Sequence, residues 1–377
     1  MVGRGGGIGT PSSVVASLIE QDFLDPDFPN WATAEMPFTI RTADDERLGY
    51  TPWAMPMDLR VFHWSTLWDN LRKRVPDSEY HTGRRAVKVI SSDTQPVTIV
   101  FEDGAREEFD LVLFADGYQS LGRQLLFPDS ELIYRGYMLW RGLLPEADIE
   151  DSAPLGKQLP RLSYCDLPGH IVSYFIPDDH GSIEKGKRIC NWAAYIPMGR
   201  AELAEFMVDR DGIHRAGTIP PGKMRIEEED RLKQLMVDNL PTYFGDIVSK
   251  TQNTYVQLIY TVDLSTYHQD RMCLIGDAGM VIQPFTGSGV FKGYHNATEL
   301  LEALQTNETI EDALQEWSDI QVRTGKRLLA LGEQMEKAFI WEPLDFASAD
   351  AETTAAWWKA SVTFPEEFSY ESNSRSE

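Results

Sequence analysis

The hydrophobic period changes repeatedly along the chain, and each change marks an element. Met272 to Ile275 is an unbroken apolar run that stops at Gly276-Asp277, as a short buried strand does. A Pro- and Gly-rich loop follows, and from Val290 to Leu304 apolar residues recur at helical spacing. The same spacing predicts helices over 14–22, 65–74, 200–209, 227–239 and 309–340. Alternating or β-branched runs predict strands at Ala86–Ser91, Val97–Glu102, Glu108–Phe114 and 254–261, with Glu102-Asp103-Gly104 as a hairpin turn. Residues 132–200 alternate apolar and polar with many aromatics, the pattern of a mainly antiparallel sheet.

Composition narrows the class. The 377 residues suffice for one large or two ordinary domains, and 42% of them are hydrophobic. No apolar run approaches the roughly 18 residues of a membrane span. The opening Met-Val-Gly-Arg-Gly-Gly-Gly lacks the apolar core of a signal peptide. Cys165, Cys190 and Cys273 lie far apart without CxxC spacing, which argues against structural zinc or a disulfide framework and for the cytoplasm. His63 and His81 have no partner at ligand spacing, so no metal is expected. A formal net charge of -24 disfavours nucleic acid and anionic membrane as partners. Local cations must then hold any dinucleotide.

The chemistry concentrates in two strand ends. Gly276-Asp277 closes the first, and its loop carries Pro284, Gly287, Ser288 and Gly289 before the helix. Glycines let backbone approach a ligand, the helix start offers unpaired N–H groups, and a carboxylate accepts bonds from ribose or ribityl hydroxyls. The second is Leu111-Val-Leu-Phe-Ala-Asp116-Gly117, followed by Ser120 and Arg123 one helical turn apart. Either alone reads equally as a capped strand–turn–helix.

Together, with a β-rich insert between, they resemble the flavoprotein aromatic hydroxylases of the p-hydroxybenzoate hydroxylase type. That family carries DGxxSxxR, here Asp116-Gly-Tyr-Gln-Ser-Leu-Gly-Arg123, and GDAAH…P…GxG, here Gly276-Asp277-Ala-Gly-Met280 with Pro284 and Gly287-Ser-Gly289. Tyr134-Arg-Gly-Tyr-Met-Leu-Trp140-Arg141-Gly142, Ser173-Tyr-Phe-Ile-Pro177 and Asn191-Trp-Ala-Ala-Tyr195 resemble its 2,6-dihydroxypyridine hydroxylase-like branch.

The resemblance implies an α/β fold: a Rossmann-like FAD-binding domain with an inserted, mainly antiparallel substrate domain. The expected parts are 1–130 (partial FAD-binding domain), 131–264 (substrate sheet), 265–345 (FAD-binding domain continued) and 346–377 (a partly disordered extension). It implies FAD as cofactor, NAD(P)H as reductant, and hydroxylation of a small aromatic or hydroxypyridine-like ring through a flavin C4a-hydroperoxide. Gly276, Asp277, Pro284, Gly287, Ser288 and Gly289 would meet the flavin, and Asp116 and Arg123 the dinucleotide. Trp140, Tyr174, Trp192 and Tyr195 would line the ring site. His170, Tyr174, His268 and His180 are the titratable candidates for proton transfer.

Two departures stand out. Met280 replaces the histidine of many members, and the opening βαβ unit with GxGxxG, roughly 30–45 residues, has no counterpart. Arg4-Gly-Gly-Gly7-Ile-Gly9 does not supply it, because no apolar strand precedes these glycines. It resembles the RxxGxGI segment that follows the unit, with Arg4 near the adenosine side or in a tail. The alternatives are a truncated, FAD-deficient remnant that keeps the substrate domain, and a flavin-independent isomerase or cyclase.

Overall fold

The computed structural model describes residues 5–92 and 95–362. Arg4, and the tail expected to be disordered after Phe364, lie outside them. In chain order the first half holds β1 (Gly7–Pro11), α1 (Ser12–Glu20), β2 (Trp31–Ile40), β3 (Tyr50–His63), α2 (Trp64–Arg72), β4 (Ala86–Ser92), β5 (Gln95–Phe101), β6 (Arg106–Phe109), β7 (Val112–Phe114) and α3 (Leu121–Leu126). Next come β8 (Ile133–Pro145), β9 (Arg161–Ser163), β10 (His170–Ile176), β11 (Ile189–Pro197), α4 (Arg200–Phe206), β12 (Thr218–Ile219), α5 (Ile226–Asn239) and α6 (Thr242–Lys250). The chain continues through β13 (Tyr255–Thr261), β14 (His268–Gln269), β15 (Met272–Leu274), α7 (Gly289–Thr306), α8 (Ile310–Glu336) and α9 (Ala351–Ser361).

Two compact units form. The first comprises Met1–Arg74, Gly136–Ile259 and Gln334–Glu377; the second comprises Val75–Arg135 and Tyr260–Glu333. The chain changes unit at Arg74–Val75, Arg135–Gly136, Ile259–Tyr260 and Glu333–Gln334.

The first unit is built on a nine-stranded sheet in the order β1-β3-β2-β9-β10-β11-β8-β13-β12. Its centre is antiparallel, with β10 on β11 (Tyr174↔Asn191) and β11 on β8 (Trp192↔Gly142). Hydropathy did not predict β2 and β3, because Pro37, Pro52 and Pro56 interrupt them. Their pairing shows how the prolines are tolerated. Among the described residues, β1 covers Leu59–His63 of β3, so at Pro52 and Pro56 the edge of β3 opposite β2 has no strand to bond to. The stretch after residue 346, expected as an extension, is ordered as far as α9. Trp357 and Trp358 of α9 pack on Phe38 with centroids 5.7 and 5.3 Å away.

The second unit has two small sheets. β4, β5 and β6 form a meander whose last turn is Gly104, at φ 84°. β15 lies parallel to β7 and antiparallel to β14. Among the described residues, the outer edge of β7 has no strand partner.

Candidate functional site

In the second unit, Met272, Cys273 and Leu274 are buried, and β15 pairs with β7 through Met272↔Val112 and Leu274↔Phe114. Each of these parallel strands runs into an acidic turn. Gly276 turns the chain at φ 58°, and its N–H donates to Asn296 Oδ1 at 2.8 Å. Asp277 follows in a 3₁₀ turn with its side chain 57% exposed, held by Lys292 Nζ at 2.5 Å. Lys292 itself is buried, and its ammonium also donates to the Met280 carbonyl.

Pro284–Thr286 forms a second 3₁₀ turn, and Gly287 reverses the chain at φ 67°. The Ser288 hydroxyl is buried and bonded to Thr286 Oγ1 at 2.8 Å, so it serves the loop. α7 then begins at Gly289 with no side-chain cap and no acid in its first turn. Its positive dipole end is thus not countered by a side-chain cap or a first-turn acid. A Cβ on Gly276, Gly289 or Gly293 would meet nothing within 4 Å. Open ground over backbone, an uncapped helix start and an acid for hydroxyls together fit the ring and ribityl end of a flavin.

The other acidic turn is spent differently. Asp116 Oδ2 accepts from the backbone N–H of Leu121 at 2.7 Å and of Gly122 at 3.3 Å, which caps α3. Ser120 Oγ accepts from Arg123 N at 2.9 Å. Arg123 is 2% exposed and donates to the carbonyls of Ala278, at 2.7 Å, and Tyr118. Burial lowers its pKa, opposed by Asp116. The cation expected to reach a dinucleotide therefore braces the Gly276-Asp277 turn from inside. Gly122 makes that close packing possible, since a Cβ there would lie 2.1 Å from Phe114 Cγ.

In the first unit, strand alternation sorts the aromatics. Residues opposite one another share a face, so Tyr174, Tyr195 and Arg141 lie on one side of the sheet and Trp140 and Trp192 on the other. The two tryptophans are fully buried against each other, T-shaped at 4.8 Å, and Trp192 Nε1 donates to Thr251 Oγ1 at 2.9 Å. A Cβ on Gly142 would come within 2.4 Å of Trp192. This is core packing. Of the four aromatics expected at a ring site, Tyr174 and Tyr195 therefore share one face of the sheet, and Trp140 and Trp192 pack together on the other.

Their face carries groups that the sequence reading did not single out. Arg141 Nη2 donates to the Gly7 carbonyl at 2.7 Å and Nη1 to Gln257 Oε1 at 3.3 Å, and its guanidinium lies 5.7 Å from the Tyr255 ring centre. Gly7 N–H donates to Asn191 Oδ1 at 2.7 Å. A Cβ on Gly6 would sit 2.6 Å from the Tyr255 hydroxyl and 2.7 Å from Arg141 Nη2, so only glycine brings the chain this close. Burial raises the Tyr174 phenol and pushes Tyr195 up to about 12, which keeps both as neutral donors. Arg141 and Tyr255 carried a weak signal: one sits inside the Trp-Arg-Gly phrase and the other in an alternating strand.

The histidine candidates separate. His170 is buried, stacked on Tyr195 at 4.5 Å, and its Nε2 lies 2.5 Å from Arg161 Nη1. A guanidinium only donates, so Nε2 accepts and the proton sits on Nδ1. Burial and then Arg161 hold its pKa well below the ordinary value, which makes it a neutral core group. His268 lies on β14, 3.3 Å from Gln315 Oε1. His180 is in an exposed turn with its N–H on Asp178. His63, not a candidate, is 1% exposed and accepts from Ser65 N at 3.2 Å as the cap of α2. Among the described residues no group of His, Cys, Asp and Glu is arranged to hold a metal, and no helix is long and apolar enough to cross a membrane. A cleft of about 240 Å³ elsewhere in this unit is lined by Arg47, Asp151, Tyr243 and Asp246, and contains none of the residues above.

Comparison with known proteins agrees with this architecture. The family model described as FAD binding domain-like matches residues 134–261. The chain is 26% identical to 2,6-dihydroxypyridine 3-monooxygenase of Paenarthrobacter nicotinovorans, over 87% of the chain and 80% of that protein. It is 22% identical to an FAD-dependent monooxygenase of Aspergillus terreus, over 72% of the chain but only 61% of that protein. The solved structure of 2,6-dihydroxypyridine-3-hydroxylase from Arthrobacter nicotinovorans superposes with a TM-score of 0.79 at 23% identity, over 93% of this chain and 88% of that one. The α/β fold expected from the two strand-end motifs is thus the observed one, and the chain is related in sequence and in fold to the FAD-dependent aromatic monooxygenases.

Proposed function

We propose that the chain is an FAD-dependent monooxygenase that hydroxylates a small aromatic or hydroxypyridine-like ring, with NAD(P)H as reductant and O₂ as oxidant. The observation that carries this reading is the uncapped start of α7 beside Asp277, with open ground over Gly276, Gly289 and Gly293. Asp277 would accept from ribityl hydroxyls. Gly276, Pro284, Gly287 and Gly289 would give the ring its backbone surface, while Ser288 shapes the loop through Thr286. Asp116 and Arg123 act at one remove, by fixing α3 and the Ala278 carbonyl.

When bound, FAD supplies electron storage and the activation of O₂, which no side chain provides. The protein's own part is to bind, orient and keep protons in place. The Tyr174 and Tyr195 phenols, neutral across the physiological range, would orient a ring oxygen by donating to it. Neither His170 nor Arg161 is needed as an acid or base on this reading, since each satisfies the other.

A second reading is a ring-binding protein that holds FAD weakly. It draws on the open outer edge of β7, and on the described glycine-rich start, where β1 enters α1 through Pro11 without a glycine turn to cradle pyrophosphate. Oxygen uptake separates the two. With added FAD and NAD(P)H, the first reading expects uptake stimulated by hydroxypyridines or hydroxybenzoates, with one hydroxylated product per turnover. Ring binding without any such uptake supports the second.

A further inference from the structure

We propose that the cleft between the start of α6 and the turn after β8 binds a small alkylammonium ion, its charge held by the acids of the rim and its chain by an apolar floor. The cleft lies within the first unit and shares no residue with the tyrosine face or the flavin loop. It therefore holds whether or not the chain is a monooxygenase.

Charge sets the sign of the ligand. The cleft encloses about 240 Å³, and four carboxylates line it, Asp148, Glu150, Asp151 and Asp246, against two cations, Arg47 and Lys250. An anion would need the start of α6, which Thr242 and Tyr243 bring to the cleft. That start is spent. Thr242 N–H donates to the Glu46 carbonyl at 2.8 Å and Tyr243 N–H to that of Arg47 at 3.1 Å, while the N–H groups of Phe244 and Gly245 donate to Pro241. Arg47 is engaged as well, by Asp151 Oδ2 at 3.3 Å. Its guanidinium lies 5.8 Å from the Tyr243 ring centre, so one of the chain's own cations already sits where an acid and a ring face meet.

Acids alone would be a solvated rim on a chain of net charge -24. Two further observations make this rim a site. The floor is apolar: Leu144, Ile149 and Ile247 are buried and line the cleft beside exposed carboxylates. Tyr243, which also lines it, is 8% exposed, and its buried hydroxyl has no hydrogen-bond partner among the described residues. Burial, with Cys190 and Asp151 close by, raises its pKa against the pull of Arg47, so the oxygen stays a neutral acceptor. A buried hydroxyl left unmet costs stability, and an ammonium group supplies the missing donor. The acids do not suit a compact ion, since among the described residues no group of His, Cys, Asp and Glu is arranged to hold a metal. A cation with an apolar body meets both the rim and the floor.

Ligand-observed NMR titration of the full chain tests this, with pentylamine against 1-pentanol, and magnesium chloride as a compact-cation competitor at matched ionic strength. A charge-assisted contact with exposed acids predicts pentylamine roughly five- to tenfold tighter than 1-pentanol at low salt, and a preference that shrinks as salt rises. Asp246→Asn should cut the preference about threefold. Tyr243→Phe should cut it a few-fold while leaving the thermal midpoint unchanged or higher, because it removes a hydroxyl that has no partner. Both positions are suited to the test, the first exposed and the second losing no protein hydrogen bond. The proposal is overturned if amine and alcohol bind alike, or if neither binds. It is overturned equally if magnesium displaces the amine at matched ionic strength, which would make this a metal site. A preference that survives either variant places the amine elsewhere on the acidic surface and overturns it too.

Discussion

Lys292 reaches Asp277 across the turn between β15 and α7, its Nζ 2.5 Å from a carboxylate that is more than half exposed. The lysine comes from a buried position on α7 and also holds the Met280 carbonyl. It thereby fixes both the acid and the backbone three residues beyond it. Removing Asp277 alone leaves a buried ammonium short of a partner, whereas removing both does not. Solvent around Asp277 weakens the pair, so the expected coupling is modest. Asp277→Ala and Lys292→Met should each destabilise by about 1–2 kcal/mol, with the double variant recovering about 0.5–1 kcal/mol of the sum. Urea denaturation of the four proteins measures this, and strict additivity would show that the contact contributes nothing.

Arg123 gives a prediction of a different kind. Its donors satisfy the carbonyls of Ala278 and Tyr118 inside the unit. Arg123→Ala should cost roughly 2–4 kcal/mol by stranding those acceptors. Amide hydrogen exchange in 276–281 should quicken more than in α8. A variant of wild-type stability with specifically weakened FAD binding would show instead that the cation faces the cofactor.

The two faces of the large sheet predict opposite phenotypes. Trp192→Phe leaves Thr251 without its donor and opens space beside Gly142, so about 1–3 kcal/mol of stability should be lost with ring binding unchanged. Tyr174→Phe should leave the thermal midpoint nearly unchanged and weaken ring binding. Equal effects of the two on ligand affinity would contradict the assignment of faces.

That separation marks what the sequence made legible. Alternation around Tyr134–Gly142 and Asn191–Tyr195 announced strands, and the two Asp turns announced the fold. Which face a residue occupies depends on register between strands distant in sequence, and no local period encodes that. Trp140 and Trp192 were therefore grouped with Tyr174 and Tyr195, although the pairing Trp192↔Gly142 puts them on the other side. β2 and β3 were missed for a related reason. Proline counts against a strand locally, and only the short reach of β1 makes Pro52 and Pro56 acceptable. Lys292 carried no signal in the sequence, because burial of a charged residue is a tertiary fact.

Stability should depend on pH in two windows. His170 and His63 are both depressed in the fold, chiefly by burial. The unfolded chain then binds more protons once pH falls below about 6.5, so stability is full above that value and declines below it. Glu146 is held at about 2 by Arg188 and neighbouring donors, although burial works against this, and its contribution is lost as pH falls from 4.5 toward that value. Urea midpoints should be flat above pH 7, fall from pH 6.5 to 5, and fall again below 4.5. His170→Asn should flatten part of the first decline and leave the second; an unchanged first decline would remove His170 from its cause.

The central claim is that the loop from Gly276 to Gly289 and the start of α7 hold a flavin. Gly289 and Gly293 allow a direct test, because a Cβ there would meet no described atom within 4 Å. Leucine at either position should leave the fold intact or stabilise it by up to about 1 kcal/mol through helix propensity. FAD titrated into the purified chain, followed by quenching of flavin fluorescence, should give saturable binding that Gly289→Leu and Gly293→Leu abolish while their circular dichroism and thermal midpoints stay at or above those of the parent. No binding by the parent chain, or binding unaffected by either leucine, would contradict the account.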